Sequence, residues 1–149
     1  MKVHSLMRDR AHPVYTIDSN QSVEDAVNLM TAKRASALIV TEKNRPAGIF
    51  SERDVFRYYQ RDKAAVLSET TLQHAMTEKL IVATSEDDIS KVMAMMMKAN
   101  IKHIPILEKK AIIGMLTLTD IFENQIESLA DEVNQLKDYI EDLHEAVRD

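Results

Sequence analysis

The chain has 149 residues and a mass of 17.0 kDa, room for one compact domain or two very small ones. Apolar residues make up 45% and charged residues 29%, with a net charge of -5, which supports a packed core and argues against disorder and against a nucleic-acid binder that works through basic residues. The lack of cysteine excludes disulfides, thiolate catalysis and cysteine zinc sites, and two glycines are too few for a Gly-rich phosphate loop. No apolar run reaches the roughly 18 residues of a membrane span. Met1 to Arg10 carries charge early and has no apolar signal-peptide core, so the expectation is a cytoplasmic protein.

In chain order, Tyr15-Thr16-Ile17 reads as a short strand. A helix follows, with Val23, Ala26, Val27 and Met30 at helical spacing and Ser22 as its N-cap. Ala37 to Val40 is an apolar strand, Glu42 to Pro46 a polar turn, and Ala47 to Phe50 a third strand. Ser51 then caps a second helix, with Asp54 three residues on. Gln60 to Thr71 is a polar connection without Pro or Gly, expected to be ordered. The same order then returns. Leu80-Ile81-Val82 reads as a strand, and Ile89, Val92, Met93 and Met96 as a helix. Ile104 to Leu107 is the next strand, Glu108 to Lys110 a turn, and Ile112 to Leu116 a strand running into Thr117 and a helix.

The recurrence is a true internal repeat. Gly48-Ile-Phe-Ser-Glu-Arg-Asp-Val-Phe and Gly114-Met-Leu-Thr-Leu-Thr-Asp-Ile-Phe share one pattern at an offset of 66 residues. Carried backward, the offset pairs Val23 with Ile89, Val27 with Met93, Met30 with Met96, Val40 with Ile106, and Ser19 with Ser85. In-phase chemistry over this length marks two β-α-β-β-α units. The units span residues 1–62 and 72–123, and an extension follows over 124–149.

The Ser51-x-x-Asp54 spacing has a chemistry of its own. A hydroxyl cap leaves helix N–H groups free for an anion, and a carboxylate one turn in accepts two ribose hydroxyls. The same residues equally form a plain helix cap.

Two such units in tandem resemble the cystathionine-β-synthase (CBS) domain pair, or Bateman module. The likeness rests on Gly48 to Asp54 and Gly114 to Asp120, which fit that family's Gly-x-x-Ser/Thr-x-x-Asp signature. Lys102-His103-Ile104-Pro105-Ile106 fits its strand entry, and Met7 and Met76 stand near the start of each copy. The resemblance covers about Met1 to Glu123 and implies an α/β fold and a regulatory role. It also implies an adenosine ligand (AMP, ADP or ATP, otherwise NAD or S-adenosylmethionine) in the cleft between repeats. With no catalytic or transport domain in the chain, the effector is expected to be a separate protein.

The family pattern implies two sites. The first pairs Ser51 and Asp54 with Ile81, Val82, Lys102, His103 and Ile104. The second pairs Thr117, Thr119 and Asp120 with Thr16, Ile17, Ala35, Ser36 and Ala37. The first has cations for phosphate, Lys102 and His103 with Arg53 and Arg57 near; the second has only small and hydroxyl groups at the matching entry. His103 has no second histidine at ligand spacing, so phosphate contact ranks ahead of a surface role and of metal. Met93, Met96 and Met97 fit one helix face, suited to core packing or a dimer interface rather than to a soft metal. No paired acid-base constellation or metal cluster points to an enzyme.

The extension carries a heptad pattern. Ile126, Val133, Ile140 and Val147 fall at a, with Leu129, Leu136 and Leu143 at d. β-branched a with Leu at d favours two parallel strands, and Glu132 at g faces Lys137 at the next e. The alternative is an amphipathic helix packed on its own module. The expectation is a homodimer held by the CBS helices and this segment. A ligand-independent scaffold of the same fold is the competing reading.

Overall fold

The computed structural model describes residues 1–64 and 66–148. The repeat is visible as two three-stranded sheets of identical design. The first contains β1 (Thr16–Asp18), β2 (Ala37–Glu42) and β3 (Arg45–Ser51), with α2 (Val23–Lys33) after β1 and α3 (Glu52–Arg61) after β3. The second contains β4 (Ala83–Thr84), β5 (His103–Glu108) and β6 (Ala111–Thr117), with α5 (Ile89–Ala99) and α6 (Leu118–Arg148) in the same places. The remaining helices are α1 (Val3–Arg10) and α4 (Leu72–Ala75). In each sheet the first two strands are parallel and the last two antiparallel.

Local chemistry explains the elements. Ser22 and Asp25 cap α2 reciprocally, at 3.0 and 3.2 Å. Arg34 and Asn100, one offset apart, end α2 and α5 in the left-handed conformation. Lys43-Asn44 and Lys109-Lys110 form the hairpin turns, with positive φ at both central residues, which matches the twist of the flanking strands.

Leu80–Val82 lies outside the sheet, contrary to the expected strand: only Ala83 and Thr84 pair with β5. The connection runs in turns between Arg61 and Thr71 and is fixed by a bridge from Thr71 to Ser22; Ala65 lies outside the described residues. The sequence pattern also gave no hint of α1.

The two packing units do not follow the two sequence repeats. Val3 and Leu6 of α1 are buried in the second core, among Ile89, Val92, Ile104, Ile106 and Leu116. Leu72 and Ala75 of α4 are buried in the first core, among Ile17, Val23, Leu38, Val40 and Phe50. Each repeat therefore donates its leading helix to the other. The two glycines permit this exchange. A Cβ on Gly48 would stand 2.6 Å from the Thr77 carbonyl oxygen and 2.9 Å from Met76 Sδ, and one on Gly114 would stand 2.8 Å from Met7 Cε.

Of the methionine run, Met96 is core and Met93 and Met95 pack against it, whereas Met97 is exposed. Helix α6 behaves in two ways. Ile121 belongs to the second core, but from Ile126 to Val147 every residue is exposed, so this stretch leaves the module rather than packing on it. Asp149 of the extension lies outside the described residues. No described helix is long and apolar enough to cross a membrane.

Candidate functional site

A cavity of about 670 Å³ opens between the repeats. One wall is the end of β3 and the first turns of α3, including Ser51, Arg53, Asp54 and Arg57; the other includes Thr77, Lys79, Leu80, Ile81, Ile101, Lys102 and His103. The geometry follows from the exchange of helices. Main-chain pairing of Ile49 with Thr77, at 3.0 and 2.9 Å, lays the segment after α4 along β3 and brings Lys79 to Ile81 against Ser51 and Asp54.

Asp54 is buried, and its carboxylate is engaged on both oxygens. The Ser51 backbone N–H donates to Oδ2 at 2.9 Å and the Ser51 hydroxyl to the same oxygen at 3.3 Å. The Thr77 hydroxyl donates to Oδ1 at 2.8 Å, and the Arg57 guanidinium stands 3.9 Å away. The helix-cap reading and the ligand reading of this motif therefore meet in one residue. The two hydroxyl donors to this carboxylate are rotors, whereas the Ser51 N–H is fixed by the helix start.

Four permanent cations line the cavity: Arg53, Arg57, Lys79 and Lys102. The Arg53 guanidinium donates to the Asn100 carbonyl at the end of α5, a second tie between repeats. His103 does not serve as a fifth cation. Burial pushes its pKa down; Glu52 acts in the opposite sense, and His12, Lys102 and Arg53 add to the lowering. Its Nε2 lies 2.6 Å from Ser36 Oγ, joining the two repeats across the cleft. His103, expected to contact phosphate, lies on the cavity wall, where burial favours its neutral imidazole.

This lowering has a testable sign. The unfolded chain takes up the proton near pH 6.5, above the folded value, so stability falls as pH drops through that range. Urea midpoints are expected to decline from pH 7.5 to 5.5, and to decline less in His103→Asn. An unchanged slope in the variant would show that His103 is not the group responsible.

Of the first set, Ser51, Asp54, Ile81, Lys102 and His103 meet in the cavity, whereas Val82 does not line it. Ile104 is fully buried in the second core and is a packing residue. Thr77, Lys79 and Ile101 went unread in the sequence, and Leu80 was read only as part of a strand; Thr77 directly follows Met76, a signal that could have found it.

In the second set the motif residues Thr117 and Asp120 form the helix cap of α6, with Thr117 N–H to Oδ2 at 2.9 Å and Asp120 N–H to Thr117 Oγ1 at 3.1 Å. Thr119 is exposed on the first turn, Thr16 is exposed on β1, and Ile17 and Ala37 are buried. Ala35 and Ser36 border a different cavity of about 590 Å³, formed with α2 and α3 and flanked by Phe56. Asp120 Oδ2 meets His12 Nε2 at 2.9 Å. Ser36 bonds to His103 at 2.6 Å, and His12, the partner of Asp120, stands near enough to His103 to act on its charge. Among the described residues no group of three or more His, Asp or Glu could hold a metal ion.

Comparison with known proteins places this architecture. Residues 3–61 and 68–127 match the CBS domain family. The chain is 33% identical over 128 residues to the mitochondrial CBS domain-containing protein CBSX3 of Arabidopsis thaliana, covering 83% of this chain and 62% of that one. It is 23% identical to CBS domain-containing protein YhcV of Bacillus subtilis, over 76% of this chain and 79% of the relative. The CBS-domain protein ATU1752 of Agrobacterium tumefaciens superimposes with a TM-score of 0.77 at 22% identity, covering 84% and 99% of the two chains. The CBS domain pair of protein MJ0100, solved with 5-methylthioadenosine and S-adenosyl-L-methionine, gives 0.72 at 20% identity, covering 86% and 98%. With two matched copies, two matching sheets and exchanged leading helices, this chain belongs to the CBS-domain family, as a tandem pair with a helical extension.

Proposed function

We propose that the chain is a regulatory module of the cytoplasm that binds AMP, ADP or ATP in the cavity between its repeats and passes that state to a separate protein. The observation that carries the reading is the meeting, in one cavity, of Asp54 and Ser51 from the first repeat with Ile81 and Lys102 from the second. Leu80, Ile81 and Ile101 offer an apolar slot for adenine, Asp54 an acceptor for the ribose diol, and the α3 N-terminus with the four cations a place for phosphate. The local cations also favour phosphorylated ligands over S-adenosylmethionine, whose sulfonium they repel, although MJ0100 was solved with the latter. Calorimetry with AMP, ADP, ATP, NAD and S-adenosylmethionine tests this. Binding of an adenine nucleotide with Kd of the order of micromolar, about −8 kcal/mol, is expected. If none of the five binds, the ligand-independent scaffold takes its place; release of AMP or phosphate from ATP would show an enzyme.

The module is proposed to act as a homodimer. Two faces support this: the exposed Phe56 and Met97 on the helices of the module, and the heptad stripe of α6. Every a and d residue from Ile126 to Val147 is between 46% and 84% exposed, so the stripe is not covered by the described residues of the chain. From Glu123 to Asp149 there are nine acidic and two basic residues, yet the stripe's flanks carry only Glu132 and Lys137 as charges of opposite sign. After Ile126 the remaining acids fall on the outer positions b, c and f, where two parallel copies do not face each other. A second copy of the same helix is the occupant this charge pattern fits. Removing residues after Glu123 is expected to weaken dimerisation by about tenfold or more, measured by analytical ultracentrifugation. A full-length monomer at micromolar concentration would overturn the assembly.

A further inference from the structure

The two Asp motifs are not equivalent, and the difference lies in a residue outside both repeats' sheets. His12 follows α1 and pairs with Met115 of β6 through two main-chain bonds, its N–H to the Met115 carbonyl at 3.0 Å and the reverse at 3.2 Å. That is the pairing Thr77 makes with Ile49 in the other half. The two residues thus stand at corresponding places, each directing a side chain at the motif aspartate. Thr77 presents a hydroxyl to Asp54, and His12 presents an imidazole to Asp120.

We propose that His12 is the specificity-determining residue of the second motif, an internal competitor that keeps Asp120 from taking a nucleoside. A ribose diol needs two acceptor positions on one carboxylate. Asp120 Oδ2 already serves the Thr117 N–H and His12 Nε2, so a diol that takes this oxygen competes with the imidazole. A threonine hydroxyl turns aside by one bond rotation and either donates to or accepts from an incoming sugar. A histidine ring in that place must swing out as a whole, giving up its bond to a carboxylate that is itself almost buried. The neighbouring segment reinforces the arrangement. Arg10 holds Glu123 and Glu127 at 2.6 Å each, so residues 10–12 grip the first turns of α6 at three points. The class of ligand excluded is an uncharged nucleoside or an adenosyl compound, because the second set offers no phosphate-binding cations.

The inference rests on the reading of Asp54 as a nucleoside acceptor, and the test separates the two. Equilibrium dialysis with labelled adenosine is carried out on the full chain, on His12→Thr, and on His12→Thr combined with Asp120→Ala. His12→Thr reproduces the arrangement of the first motif, so its fold is expected to survive; circular dichroism checks this, and His12→Ala, which removes the competitor altogether, serves if it does not. The expected result is a binding event in His12→Thr at least ~10-fold tighter than any Asp120-dependent event in the parent, a gain of about 1.4 kcal/mol, lost again in the double variant. If the folded variant binds no more adenosine than the parent, whatever the parent binds, the proposal is overturned. Asp54-dependent AMP binding in the parent reports separately on the first motif.

Discussion

Asp54→Ala is expected to abolish AMP binding to within the limit of calorimetry, a loss of ~100-fold or more. The substitution removes the carboxylate between Ser51 and Thr77 on the cavity wall, the acceptor proposed for the sugar. Two charge-assisted hydrogen bonds to a ribose diol are worth about 1.5–3 kcal/mol each, which sets the scale. Part of the effect on the protein itself is structural, because Asp54 also receives the Ser51 N–H at the start of α3, a cap worth ~1 kcal/mol. Asp54→Asn keeps one acceptor oxygen, so it is expected to fold better than the alanine variant and to recover only part of the affinity. Asp120→Ala is the control. His12 already occupies that carboxylate, so this variant is expected to leave the AMP event nearly intact. Loss of binding in Asp120→Ala alone, with Asp54→Ala unaffected, would reverse the assignment.

The second large effect is an asymmetry between the two glycines. Gly48→Ala is expected to destabilise the protein by about 2–3 kcal/mol, and Gly114→Ala by less than ~1 kcal/mol. Both positions lie on the last strand of their sheets and both are crossed by the segment that follows an exchanged helix. What differs is the atom in the way. At Gly48 the new methyl meets a main-chain carbonyl oxygen at 2.6 Å, and that oxygen is fixed by accepting from the Ile49 N–H. Relief requires moving the Thr77 backbone, and with it the pairing that shapes the cavity. At Gly114 the close atom is the terminal methyl of Met7, and a methionine end moves by rotation. Chemical denaturation of the two variants measures the difference directly. AMP affinity is expected to fall in Gly48→Ala and to hold in Gly114→Ala. Equal destabilisation would show that the main-chain contact is not what Gly48 is for.

Much of this architecture was legible because so little glycine is used. Gly48 and Gly114 set the offset, and the apolar phase behind them marked β1, β2, β3, β5, β6, α2, α5 and the caps at Ser51 and Thr117. Helix α1 was missed because its eight residues bury only Val3 and Leu6, too few to establish a period. The exchange of α1 and α4 was illegible for a deeper reason: hydrophobic spacing tells which face is buried and not against which neighbour. Leu80–Val82 reads as a strand by composition, but only Ala83 and Thr84 pair with β5. The cavity needed both halves in place. Ser51, Asp54 and Lys102 carried a motif; Thr77 and Lys79 carried none and reach the wall through the pairing of Thr77 with Ile49. The neutral state of His103 depends on burial, which no spacing encodes.

The exchanged helices also bear on how such a chain arises. A single repeat of this design has an open core cleft, because its own leading helix points away to close another. Two identical repeats as separate molecules would satisfy each other by reciprocal swapping, forming a two-fold dimer with equivalent halves. Joining the copies end to end turns that intermolecular swap into an internal one without altering either core. It also frees the two halves to diverge, as Thr77 and His12 have at their matching positions. The linker from Asp62 to Thr70 then serves mainly to raise the local concentration of one half around the other. The fold already holds the halves together by its cores, so a chain cut in this linker is expected to stay associated as a split protein.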